Sequence, residues 1–192
     1  MPAAMSRPTF YVPPDPRLAR LARRGRLFSL ATLAVLVLLV AGGLGLWLRP
    51  EWVVATVVPR IGVAGYPITL GTTERAIGCA ISAVPLAILG YGLFQVHLIF
   101  RDFGRGEIIS EALSRRLERF GGAVMLQALL SPLAAAALSV TLTVGNPEGE
   151  RLLAVTFSSY DVVAILVGLL LIGIGTVLRE AARIARENAG FI

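Results

Sequence analysis

The sequence predicts an all-α membrane protein whose core is a four-helix transmembrane bundle. Hydrophobic residues make up 56% of the 192 positions and charged residues only 16%, which is too apolar for a soluble domain of this size. Four long stretches carry no charge at all, and the arginines are concentrated on alternate sides of them. Together these observations fix the class, the number of spans and their orientation.

Each uncharged stretch is close to the ~20 residues that a helix needs to cross the hydrocarbon core. The four predicted spans are Leu27–Leu48, Ala76–Phe100, Gly121–Val144 and Val162–Leu178. The first exceeds the roughly 7 to 15 apolar residues of a signal peptide, so we expect it to be retained. The chain therefore divides into a Pro- and Arg-rich leader, residues 1–26, and a single membrane domain, residues 27–192.

The arginines predict that both termini are cytoplasmic. All 18 basic residues are arginine; fourteen of them precede the first span, lie in the middle loop or follow the last span, and four lie in the other two loops. This asymmetry is what the positive-inside rule describes. Arginine without lysine is typical of a GC-rich bacterial genome, so we expect a multi-pass protein of the bacterial inner membrane. Trp47, Trp52 and Tyr160 then fall near the outer interface, where amphipathic rings are common.

The two outer loops are predicted to contain short strands. Residues 55–59 and 66–70 are rich in β-branched side chains and are separated by glycines. Ser139–Val144 and Leu152–Phe157 alternate around a Gly-Asn-Pro-Glu-Gly turn, a pattern typical of a β-hairpin. The third helix is accordingly expected to end near Leu138, with a small extracytoplasmic sheet covering the bundle.

The middle loop is predicted to form a short amphipathic cytoplasmic helix. Ser110 is a suitable N-cap residue, and Leu113, Leu117, Phe120 and Val124 follow at three- and four-residue steps. The spacing predicts that this helix runs directly into the third span.

Few side chains suggest chemistry. His97 is the only histidine; it is compatible with a proton relay or pH sensor, but packing at the interface is the favoured interpretation because it has no titratable partner in a span. Gln95 and Gln127 are interpreted as interhelical hydrogen-bonding groups, with a ligand site as the alternative. No phosphate loop, nucleophile motif or metal-ligand spacing is present, and the single Cys79 forms no metal cluster. We therefore expect no enzyme and no cofactor.

Two segments resemble a known family. The stretch from Phe100 to Ser110, Phe-Arg-Asp-Phe-Gly-Arg-Gly-Glu-Ile-Ile-Ser, is similar to the cytoplasmic signature of a bacterial four-span family called domain of unknown function 2975. The C-terminal stretch Glu180–Ile192 is similar to that family's closing pattern, although it ends in Gly-Phe-Ile where many relatives have Leu-Thr-Ile or Leu-Thr-Val. The family has no established activity. Its members are often encoded beside a very small helix-turn-helix regulator, which implies a membrane partner for a transcription factor.

The resulting hypothesis is a regulatory or sensory membrane protein with a docking surface for a small cytoplasmic helix-turn-helix protein. The predicted docking residues are Ile109, Leu113, Arg115, Arg116 and Leu117 in the middle loop, and Arg183, Glu187, Asn188 and Phe191 in the tail. Besides the helix-turn-helix protein, the expected partner is the lipid bilayer. Direct nucleic-acid binding is not expected, and homo-oligomerisation is left open. The alternative is a small transporter or channel subunit, although transporters usually carry ionisable residues at mid-membrane and these spans have none.

Overall fold

A computed structural model describes residues 16–104 and 110–189, with side chains described from Arg23 onward except at 185, 188 and 189. The helices are α1 (Pro16–Gly45), α2 (Pro50–Thr56), α3 (Thr72–Phe103), α4 (Glu111–Thr143) and α5 (Ser159–Ala189), and one 3-10 turn covers Leu46–Leu48. No strand occurs in these ranges.

Helices α1, α3, α4 and α5 are long and apolar enough to cross a membrane, which confirms the four predicted spans. The chain is thus a multi-pass membrane protein whose apolar helices contact the lipid bilayer. At 1.5 Å per residue, the 33 residues of α4 extend for about 50 Å, well beyond the ~30 Å hydrocarbon core. The ends of the long helices therefore project from the membrane.

The four long helices form an open row in which each packs on the next: α1 on α3, α3 on α4 and α4 on α5. Among the described residues, α1 makes no close backbone contact with α4 or α5. Neighbouring helices run antiparallel. The first residues of α1 and α4 and the last residues of α3 and α5 lie on one side of the row, which we call the termini end. The opposite side is called the loop end.

Glycines allow the helices to approach closely at each step of the row. A Cβ on Gly25 of α1 would lie 2.6 Å from the backbone nitrogen of Gly104, and one on Gly168 of α5 would lie 2.7 Å from the carbonyl oxygen of Gly121 in α4. Such contacts are typical of membrane helices, where association depends on close packing because lipid is as apolar as the side chains.

The best-buried apolar cluster lies at the loop end. Trp47, Val53 and Val63 of the first loop region pack with Leu138 and Leu142 of α4, and the Trp47 ring occupies the space beside Gly78. Trp47 is therefore buried, whereas Trp52 and Tyr160 are exposed.

The predicted hairpin is wrong, because its first half is the last part of α4. Ser139 and Thr143 lie in the helix, and their hydroxyls accept hydrogen bonds from the backbone N–H groups of Ala154 (2.9 Å) and Leu152 (3.0 Å). Residues 151–158 are irregular and lie along α4. The two hydroxyl oxygens thus accept the hydrogen bonds that a partner strand would have accepted in a hairpin. Helix α4 ends at Thr143 rather than near Leu138.

The first loop also lacks the predicted strands, because residues 50–56 are helical, residues 57–62 form turns and residues 66–70 are irregular. Pro50 begins α2, where its missing N–H is no cost. The Thr69 N–H donates to the carbonyl of Leu142, which ties this loop to α4.

At the termini end, the Leu113 N–H donates to the Ser110 hydroxyl (3.2 Å). Ser110 is therefore the N-cap that the sequence predicts, and residues 111–120 form the first turns of α4 and run directly into the third span.

Candidate functional site

Beyond the apolar runs, α4 and α5 continue side by side at the termini end as a two-helix extension, residues 111–120 of α4 and 179–189 of α5. Two ion pairs cross it: Arg186 with Glu111, and Arg179 with Glu118. Each helix adds about ten residues past its apolar run, or about 15 Å. The extension places a polar, paired surface outside the bilayer.

Charged side chains of both signs cover this two-helix extension. Glu111 also pairs with Arg115 at 3.1 Å, and Arg183 pairs with Glu180 and Glu187. These arginines are half-exposed to solvent. Exposed ion pairs add little to stability, so the main effect of these pairs is on the pattern of charge at this surface.

Arg116 is different, because it points into the protein. Its guanidinium pairs with the carboxylate of Asp102 at the end of α3 and donates to the carbonyl of Leu98 at 3.1 Å. The side chains are 19% and 6% exposed, respectively. Arg116 thus joins α4 to α3, and the sequence analysis missed Asp102; the available signal was a carboxylate just past a span with an arginine fourteen residues later.

The other predicted docking residues fall into four groups. Arg115, Arg183 and Glu187 are exposed on the two-helix extension, while Leu113 and Leu117 are partly buried. For Asn188 only the helical backbone is described. Ile109 and Phe191 lie outside the described residues.

An apolar side chain that the sequence analysis did not single out, Ile184, is 48% exposed on α5 beside Arg183. It adds an apolar contact point to the paired charges. Its position one residue from a predicted docking arginine was the signal that could have found it.

His97 joins α3 to α1. Its Nδ1 lies 2.9 Å from the carbonyl oxygen and 3.0 Å from the hydroxyl of Ser29, and its ring stacks on Phe94. The carbonyl can only accept a hydrogen bond, whereas the Ser29 hydroxyl can donate to Nδ1 or accept from it, so the direction of this contact depends on the His97 tautomer. This contact agrees with the packing interpretation of His97.

The side-chain oxygens of the two glutamines do not make the interhelical hydrogen bonds expected of them. The Oε1 atoms of Gln95 and Gln127 are buried and have no partner among the described residues. Those residues also contain no cluster of three histidine, cysteine or acidic side chains that could hold a metal ion.

A family model described as protein of unknown function (DUF2975) matches residues 54–192, well over half of the chain. The chain belongs to the DUF2975 family. The match includes α3, α4 and α5 and therefore both segments that carry the resemblance, whereas α1 lies outside it. No curated protein and no solved structure matches this DUF2975 protein.

Proposed function

We propose that this DUF2975 protein is a non-enzymatic regulatory protein of the bacterial inner membrane, which binds a small helix-turn-helix protein at its cytoplasmic face. In this proposal both termini are cytoplasmic, and the docking surface is the exposed part of the two-helix extension. The surface consists of Glu111, Arg115, Arg183, Ile184 and Glu187.

The observation that carries the proposal is that α4 and α5 extend beyond their apolar runs as one paired unit. A helix that only crosses the bilayer has no need of ten further residues, and the ion pairs of Arg186 with Glu111 and of Arg179 with Glu118 connect the two extensions side by side. A preformed surface loses little conformational freedom when a partner binds, which favours affinity.

The charges on this surface suit a protein partner better than bare nucleic acid. Carboxylates of Glu111, Glu180 and Glu187 alternate with the arginines, and such carboxylates repel phosphates. A surface of both signs favours a partner with a complementary pattern. The family's frequent gene neighbour, a small helix-turn-helix regulator, is the candidate partner that the resemblance supplies.

The test is a binding measurement between the purified DUF2975 protein in detergent and a small helix-turn-helix protein of the kind often encoded beside members of the family. We expect the double variant Arg115→Glu/Arg183→Glu to weaken binding by about tenfold or more, because two exposed charges at one interface change sign. The matched control is Arg49→Glu/Arg60→Glu, which makes the same change at two exposed arginines near the loop end.

Two results would overturn the docking proposal. One is a wild-type protein that does not bind the neighbouring regulator; the other is equal binding by the Arg115/Arg183 variant and the wild type. Equal loss in the control variant would show that net charge, and not this surface, controls binding. Membrane insertion of every variant is checked by fractionation.

A further inference from the structure

A cleft between α1 and α3 at the termini end brings two arginines from different helices together. It is lined by Arg26, Ser29 and Leu30 of α1 and by Arg101 and Gly104 at the end of α3. Ser29 is buried in this cleft. The two arginines give the described lining of the cleft a positive charge.

The position of Arg26 is set by the backbone contact between the two helices. A Cβ on Gly104 would lie 3.2 Å from Cγ of Arg26, so the stem of Arg26 rests on Gly104 where Gly25 makes its closest approach. Because this contact already restricts the Arg26 side chain, its guanidinium loses less conformational entropy when it binds a ligand.

Arg101 has a weak partner in the protein. Its Nε is 4.0 Å from Oδ1 of Asp102, but that carboxylate is already paired with Arg116. Among the described residues, the one carboxylate near Arg101 is thus committed to Arg116, and Arg101 can bind a further anion.

The cleft lies where the hydrocarbon core meets the headgroup region. The apolar run of α1 begins at Leu27 and that of α3 ends at Phe100, and both arginines lie within one residue of these limits. On the membrane side, Leu30 is 64% exposed, and the Phe28 and Phe100 rings contact each other 5.3 Å apart. An apolar surface therefore continues from the two guanidinium groups toward the bilayer.

From this geometry we infer that the cleft is a binding site for one anionic phospholipid of the leaflet at the termini end. Arg26 and Arg101 bind the phosphate, because guanidinium groups form charge-assisted hydrogen bonds with phosphate oxygens. The acyl chains lie along Leu30 and the Phe28–Phe100 pair. The site is separate from the two-helix extension and does not depend on the proposed docking function.

The experiment counts bound lipid by native mass spectrometry of the detergent-solubilised protein titrated with phosphatidylglycerol or phosphatidylcholine. We expect the wild type to bind one phosphatidylglycerol tightly and phosphatidylcholine about tenfold or more weakly. Arg26→Gln/Arg101→Gln should weaken phosphatidylglycerol binding by about tenfold or more, equivalent to the loss of one or two charge-assisted contacts. Arg26→Lys/Arg101→Lys should retain most of the binding, since it keeps both charges.

The matched control is Arg24→Gln/Arg115→Gln, which removes two exposed arginines at the same end of the molecule but outside the cleft. Equal weakening in this control would show a general charge effect and overturn the site. Competition by inorganic phosphate at the same concentration as phosphatidylglycerol would show an anion site without lipid specificity, and equal binding of the two lipids would show an unspecific groove. Either result contradicts the inference. If the double glutamine variant does not fold, Arg101→Gln alone is used, because Arg101 is half-exposed and contributes little to packing.

Discussion

At the residue scale, burial separates Arg116 from the other arginines of the termini end. In the sequence Arg115 and Arg116 are equivalent neighbours, but a helix turns 100° between them, so one side chain faces solvent and the other faces α3. Because a buried charge requires a partner, Asp102 and Arg116 depend on each other. The sequence offers both residues as candidates, a carboxylate just past a span and an arginine fourteen residues later, but only the packing of α3 on α4 shows that they pair.

Replacing Arg116 by Gln should destabilise the protein strongly, because it leaves the Asp102 carboxylate buried and without its partner. Loss of one member of such a pair costs on the order of 3 kcal/mol. The measurement is the thermal midpoint of the detergent-solubilised protein. Arg115→Gln is the control and should change it little, and Asp102→Asn/Arg116→Gln should be less harmful than the sum of its single variants. Equal midpoints for Arg115→Gln and Arg116→Gln would contradict the buried pair.

At the element scale, the sequence predicted the long helices but not how they end. Four apolar runs of the required length are a strong signal, and α1, α3, α4 and α5 include almost all of their residues. The end of α4 was missed because residues 139–144 alternate like a strand, while Ala135, Leu138 and Leu142 repeat at three- and four-residue steps and are all buried. Burial of that helical face decides the conformation, and only the tertiary structure shows which face is covered.

The segment from Leu152 to Ala154 should loosen when the hydroxyls of Ser139 and Thr143 are removed. In Ser139→Ala/Thr143→Val the two backbone N–H groups lose their acceptors, each at a cost of about 1–3 kcal/mol. Amide hydrogen exchange of a peptide covering residues 152–156 should therefore become faster. Thr141→Val is the control, because the Thr141 hydroxyl donates only within α4, to Ala137. Unchanged exchange in the double variant would show that these side-chain bonds do not hold the segment.

The crossing of α4 and α5 should depend on Gly168 in particular. A Cβ at this position would lie 2.7 Å from the Gly121 carbonyl and 3.0 Å from Cβ of Met125, so Gly168→Leu forces the helices apart. We expect the thermal midpoint to fall by on the order of 5 °C. Gly173→Leu is the matched control in the same helix, since nothing lies within 4 Å of its Cβ position. If both variants have the wild-type midpoint, close packing at Gly168 is not required.

At the scale of the whole molecule, the helices form an open row with a polar extension at one end and a buried apolar cluster at the other. The number of spans could be predicted because it depends only on length and composition. The row could not, because the small residues that mediate helix contacts also occur on faces that contact lipid. Gly121 and Gly173 illustrate the difficulty: one lies at a helix crossing and the other has open space around it.

The orientation of the row rests on the arginine count and predicts which end is accessible from outside the cell. In a Cys79→Ala background, Glu148→Cys near the loop end and Arg183→Cys on the two-helix extension are both exposed positions. A membrane-impermeant maleimide added to intact cells should label Glu148→Cys and leave Arg183→Cys unlabelled, and both should react after the membrane is opened with detergent. Fourteen arginines held on the cytoplasmic side account for this expectation. Labelling of Arg183→Cys in intact cells would show that the topology is the reverse of the predicted one. The docking surface would then lie out of reach of any cytoplasmic regulator.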